Sequence, residues 1–103
     1  MYNIEKIEIN IDNIFNTINV LIMPDTLKAY KDNNEINIDE EYIKRLLRVI
    51  CLWDKEYTDD SKMDASSYEI KIYYEGKCDT YYGKGKYPNN YQELIDMLGD
   101  LDG

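Results

Sequence analysis

The chain of 103 residues has no histidine, one tryptophan, one phenylalanine and two cysteines, and its 12 basic side chains face 21 carboxylates. Without histidine there is no Ser/His/Asp or Cys/His set, which excludes the common nucleophilic hydrolase chemistries. Cys51 and Cys78 lack CxxC spacing and are too few for a disulfide framework. They read as small core residues of a reduced, cytoplasmic protein that holds no metal and no cofactor. No stretch approaches the roughly 20 apolar residues of a membrane helix. The first ten residues alternate Ile with Glu and Lys, which is neither a signal peptide nor a transit peptide. The expectation is a protein that is neither exported nor membrane-bound.

What is present suits one folded unit. Hydrophobic residues make up 44% of the chain, above the range in which segments stay disordered, and the length fits a single domain over residues 1–103. Eleven tyrosines supply nearly all the aromatic surface, and each hydroxyl needs a partner or water, so these rings suit interfaces as well as cores. The formal net charge of −9 repels phosphate backbones and anionic lipid and attracts basic surfaces. Direct binding of nucleic acid or membrane is therefore not expected.

Ile7, Ile9 and Ile11 alternate with polar residues, as do Ile18, Val20 and Ile22, and the two runs read as a hairpin that stops before Pro24-Asp25. Thr26 to Lys31 reads as a third strand or a short helix, ending at the turn-rich Asp32-Asn33-Asn34. Asp39 is a natural N-cap, with Glu40 and Glu41 in the first turn and Ile38 and Ile43 at staple positions. A long helix is predicted over about 40 to 57, carrying Ile43, Leu46, Leu47 and Ile50, then Trp53 or Asp54, and Tyr57; Val49 and Leu52 widen its apolar arc. Tyr68 to Glu75 and Cys78 to Tyr82 read as a second hairpin turned at Gly76-Lys77, with Tyr68, Ile70, Ile72 and Tyr74 inward. A last helix follows Pro88, with Asn89 and Gln92 at capping-box spacing, Tyr91, Leu94, Ile95 and Leu98 on one face, and Gly99 at the C-terminal cap. The expected fold is α+β: an antiparallel sheet of four to five strands, ordered β-β-(β)-α-β-β-α, with a long helix packed on one face.

Trp53 and Tyr57, Asp64, the strand from Tyr68, then Gly83 followed by Tyr87-Pro88 and Tyr91 form a W…Y…D…(G-x-x-x-Y-P) half. It resembles an uncharacterised family of small bacterial and phage acidic α+β proteins, and departs from that family's pattern at Ala65 and Lys86. The resemblance covers about half the chain and implies a small α+β fold with no known chemistry.

Gly83-Lys84-Gly85-Lys86 has the glycines and lysines of an anion loop but neither the Walker nor the dinucleotide spacing. Asp59, Asp60 and Asp64 miss the calcium-loop spacing. What remains is surface. Asp54, Glu56, Asp59, Asp60 and Asp64 cluster after the main helix, Glu93, Asp96, Asp100 and Asp102 line the last helix and tail, and Tyr57 and Tyr91 lie among them. Side by side, these groups make an acidic strip with aromatic anchors. The expectation is a non-enzymatic protein-binding inhibitor that blocks a basic, nucleic-acid-binding surface of a larger enzyme, as an anti-CRISPR or a nuclease immunity protein does. Its partner would be a nuclease or CRISPR effector, and the strip residues Asp54, Glu56, Tyr57, Asp59, Asp60, Asp64, Tyr91 and Asp96 would bind it, with the chain a monomer or homodimer. Two alternatives are a self-associating module that uses the wide apolar helix, and a small nucleotide-binding protein that uses Gly83 to Lys86.

Overall fold

In the computed structural model, which describes residues 4–12, 17–59 and 66–101, the isoleucine alternation becomes β1 (Ile4–Asp12) with Ile7, Ile9 and Ile11 buried. The period of two seen in the sequence is thus the period of burial. β2 (Thr17–Met23) returns antiparallel, pairing Ile9 with Val20 and Ile7 with Ile22. The meander continues through β3 (Lys28–Lys31), a strand where the sequence left strand or short helix open and two residues shorter than Thr26 to Lys31, and β4 (Asn34–Asn37). Asp32 and Asn33 join these two strands at φ 50° and 72°, the paired left-handed conformation that a two-residue hairpin demands and that Asp and Asn tolerate.

Asp39 caps α1 (Glu40–Ile50) as expected, its carboxylate accepting from the Tyr42 amide at 2.8 Å. The helix ends at Ile50, not near residue 57. There the chain turns, the Trp53 amide donates to the Ile50 carbonyl at 2.9 Å, and the indole enters the core. Tyr57, expected on the helix, lies instead on β5 (Glu56–Thr58). Ile50, Trp53 and Tyr57 still pack on one core, so the helical spacing reported burial correctly but not the route of the chain.

β6 (Ser67–Tyr74) pairs with the free side of β1, and β7 (Lys77–Lys84) follows through a tight turn at Glu75-Gly76. β5 then adds to the far edge of β7 in parallel. Among the described residues the sheet therefore has seven strands, ordered β4-β3-β2-β1-β6-β7-β5, rather than four or five, and one of its pairings is parallel rather than antiparallel. β4 and β5 are the additions. Both are short and polar, and their pairing comes from neighbours already in place rather than from an apolar pattern of their own.

α2 (Tyr91–Gly99) starts one residue later than the capping box implied. Its N-cap is Asn90, whose side chain makes no cap bond; Gln92 donates instead to Asp96 at 3.0 Å. Gly99 is the last helical residue rather than a left-handed cap, and Asp100 follows in right-handed conformation. Tyr42 donates to the Met97 carbonyl at 2.8 Å while Asn90 reaches the Val49 carbonyl at 3.1 Å, so the two helices run antiparallel across one face of the sheet. Ile7, Ile9, Ile22, Leu46, Ile50, Ile70, Leu94 and Met97 are fully buried between the layers. Each such side chain contributes on the order of 2 kcal/mol relative to exposure.

Cys51 and Cys78 are not core residues: both thiols are exposed. Cys51 falls beyond the buried arc of α1, and the β6–β7 register puts Cys78 opposite Tyr73, on the face away from the helices. Val49 is buried, whereas Leu52, past the helix end, is 83% exposed. The apolar helix thus has one buried face and a single projecting leucine. Among the described residues, no helix is long and apolar enough to cross a membrane.

Candidate functional site

Five aromatic side chains meet where α1 ends and α2 begins. Trp53 arrives from the turn after α1, Tyr57 from β5, Tyr68 from the start of β6, Tyr87 from the loop after β7, and Tyr91 from the first turn of α2. The Tyr68 ring centroid lies 5.4 Å from Trp53, 5.2 Å from Tyr91 and 6.4 Å from Tyr87, and Tyr87 stacks on Tyr91 at 4.8 Å. Separations of this size are favourable aromatic contacts. Gly83 makes room for them. It pairs with Tyr68 across β6 and β7, and a Cβ there would lie 2.2 Å from Cε2 of the ring.

Polar tips fix the cluster. Trp53 Nε1 donates to Asn90 Oδ1, whose amide nitrogen donates on to the Val49 carbonyl at 3.1 Å. Asn90 is thereby a strut between the end of α1 and the start of α2, which is why it is not free to cap. Tyr87 donates to the Ser66 carbonyl, and the Tyr57 hydroxyl accepts from the Asp54 amide at 3.2 Å. The Tyr68 hydroxyl, on a residue only 1% exposed, has no hydrogen-bond partner among the described residues. Burial, and then the neighbouring Tyr57, Tyr91 and Tyr87, push it well above the usual tyrosine range. Tyr91 is pushed up to about 12 by burial and then by Tyr87. Both hydroxyls stay protonated at ordinary pH, and the two rings pack against each other.

The carboxylates divide. Asp54 and Glu56 are exposed on either side of Lys55 at the start of β5, and Asp59 follows directly after it. The Asp59 amide donates to the Lys84 carbonyl at 2.9 Å, which ties this acidic segment to β7. Tyr57 and Tyr91 are both neighbours of Tyr68. Asp60 and Asp64 lie outside the described residues. Asp96 does not join this group: five residues beyond Tyr91 on α2, it faces another way and accepts from Gln92. Glu93 is paired with Arg45 at 3.8 Å, and Asp100 lies close enough to Tyr42 to help burial raise that hydroxyl to about 12. Because the helices are antiparallel, the far end of α2 lies about 13 Å on, at 1.5 Å per residue, beside Glu40 and Glu41 in the first turn of α1. Among the described residues, the carboxylates of the strip expected from sequence fall into two groups rather than one.

Gly83 and Lys84 belong to β7, and Gly85 is buried at φ 77°. The close approach of Tyr68 and that backbone angle account for both glycines without a phosphate. Among the described residues, no three carboxylates or cysteines gather as a metal site. Sequence reading missed Tyr68, Tyr87 and Asn90 as parts of the aromatic end. A signal existed in the lone tryptophan and the Tyr-Pro-Asn-Asn-Tyr run, but not in any local periodicity.

No protein-family model and no solved structure matches the chain. Over 57 residues, 54% of its length, the chain is 49% identical to the transcription antitermination protein NusB of Clostridium acetobutylicum. The match spans 41% of that protein, well under half of the relative's length.

Proposed function

We propose that this protein is a non-enzymatic, protein-binding inhibitor that occupies a basic, nucleic-acid-binding surface of a larger enzyme. The observation that carries the reading is the β5 edge, a strand with no neighbour on its outer side among the described residues, bordered by Asp54, Glu56 and Asp59 and backed by the aromatic cluster. Carboxylates on a chain of net charge −9 speed encounter with a basic partner. An open strand edge then offers main-chain hydrogen bonds, and a rigid aromatic support keeps the ordering cost of binding low. Tyr57 lies on this strand and Tyr91 in the aromatic cluster behind it; Asp96, bonded to Gln92 on α2, is left out of this surface. Anti-CRISPR proteins and nuclease immunity proteins are inhibitors of this kind, so a nuclease or CRISPR effector is the partner class.

The test is affinity capture with tagged protein at low and moderate salt, run beside an Asp54→Asn/Glu56→Gln/Asp59→Asn variant. A basic partner held by the native chain, released by salt and lost with the variant is the expected result. A partner retained by the variant refutes the acidic-edge mechanism. The likeness to an antitermination protein favours a second reading, in which the partner belongs to the transcription machinery. Capture of a transcription component rather than a nuclease distinguishes the two.

A further inference from the structure

The seven-stranded sheet is wider than the two helices that cover it. Between the C-terminal half of α1 and the sheet lies a groove of about 400 Å³, walled by Leu47, Ile72, Tyr74 and Tyr81. Small-molecule sites typically measure about 300–1,000 Å³ and take their selectivity from a few polar groups on apolar walls. Here those groups are Arg48, Cys51 and Asp79.

Two of the three are already engaged. Asp79 is paired with Lys55 Nζ at 3.5 Å, and that ammonium also lies 4.2 Å from the centre of the Tyr81 ring. Cys51 belongs to the closure of α1, whose last four carbonyls are all taken. Leu47 O accepts from the Cys51 amide at 2.8 Å, Arg48 O from the Cys51 thiol at 3.4 Å, Val49 O from Asn90 and Ile50 O from the Trp53 amide. The negative end of the helix therefore presents no orphan acceptor to the groove. Arg48 differs. Its exposed side chain makes no ion pair or hydrogen bond among the described residues. Lys55 is taken by Asp79, so among the residues that line the groove Arg48 is the uncompensated charge.

We propose that this groove binds a small amphipathic anion, an alkyl or aryl carboxylate, with its apolar body against Ile72 and Tyr81 and its carboxylate on Arg48. The guanidinium fork matches a carboxylate with two parallel hydrogen bonds. The apolar walls reject a bare inorganic anion, and the uncompensated charge disfavours a cation. This site is separate from the acidic edge, and neither reading depends on the other.

Two thiols provide the readout. Cys51 lines the groove, whereas Cys78 is exposed on the opposite face of the sheet. Iodoacetamide alkylation of each is followed by peptide mass spectrometry with rising octanoate, kept below its micelle concentration. Cys51 alkylation is expected to slow saturably, by about tenfold once octanoate reaches roughly ten times its Kd, because only the free fraction reacts; Cys78 keeps its rate. Arg48→Gln, at an exposed position, is expected to weaken octanoate by about ten- to a hundredfold, the worth of a charged hydrogen bond, with octanol little changed. If neither thiol is protected, or both slow together, the site is overturned. If octanol protects as well as octanoate, or the variant binds octanoate like the native chain, the anion assignment is overturned.

Discussion

Tyr68→Phe removes a single oxygen and is expected to make the protein more stable. The Tyr68 hydroxyl is buried and has no partner among the described residues, while the same ring fills the centre of the aromatic cluster. A buried hydroxyl without a hydrogen bond costs about 1–3 kcal/mol of desolvation. Phenylalanine keeps the ring and its contacts and leaves almost no void, so a gain of about 1 kcal/mol or more follows, or roughly 4–8 °C in Tm per kcal/mol for a domain near this size. Tyr87→Phe is the matched control. It removes the donor to the Ser66 carbonyl and should cost about 1 kcal/mol, so one chemical change acts with opposite signs at two touching rings. Urea denaturation near neutral pH, with the slope m unchanged, measures both. If Tyr68→Phe loses stability by as much as Tyr87→Phe, the hydroxyl has a partner and the reasoning fails. Gly83→Ala should remain destabilising in the Tyr68→Phe background, because the ring carbons, at 2.2 and 2.6 Å from the added Cβ, are the obstacle.

Asn90→Ala removes the acceptor of the Trp53 indole and the donor to Val49, and should cost about 2 kcal/mol in the same assay, the penalty for buried groups left unpaired. Glu75 sits at φ 48° ahead of Gly76 in a two-residue hairpin turn; Glu75→Asn should stabilise by about 0.5–1 kcal/mol, since asparagine tolerates that conformation, and a loss would refute the turn reading. Tyr42 and Tyr91 are each raised to about 12, chiefly by burial, so the folded chain keeps protons that the unfolded chain releases near pH 10. Their contribution is therefore fully present below about pH 10 and lost as pH rises towards about 12; urea midpoints should hold below that window and fall within it, together with the rise in tyrosinate absorbance. Val49→Glu should unfold the chain by burying a charge, whereas Leu52→Glu should be neutral for stability. Sedimentation of Leu52→Glu is thus the clean test of self-association, and a dimer that survives it does not form through the end of α1.

The sequence by itself determined the features that depend on near neighbours. The Ile7-Ile9-Ile11 alternation set β1 and its buried face, Asp39 set the start of α1, and Asp32-Asn33 and Gly76 set the places where the chain reverses. In each case the deciding interaction spans only a few residues, so spacing and residue type carry it. Tertiary structure decided the rest. Trp53 and Tyr57 follow helical spacing but leave the helix, because the indole hydrogen bond to Asn90, 37 residues away, and the parallel pairing with β7 stabilise another path. Those long-range contacts end α1 at the exposed Cys51, while Cys78 is exposed by the register of its own hairpin, β6–β7. They also gathered five aromatic rings from five separate segments, and the antiparallel packing of α1 and α2 divided one acidic strip into two ends. Periodicity reports which side chains are buried; only packing among distant segments decides the path that buries them and the charges left side by side.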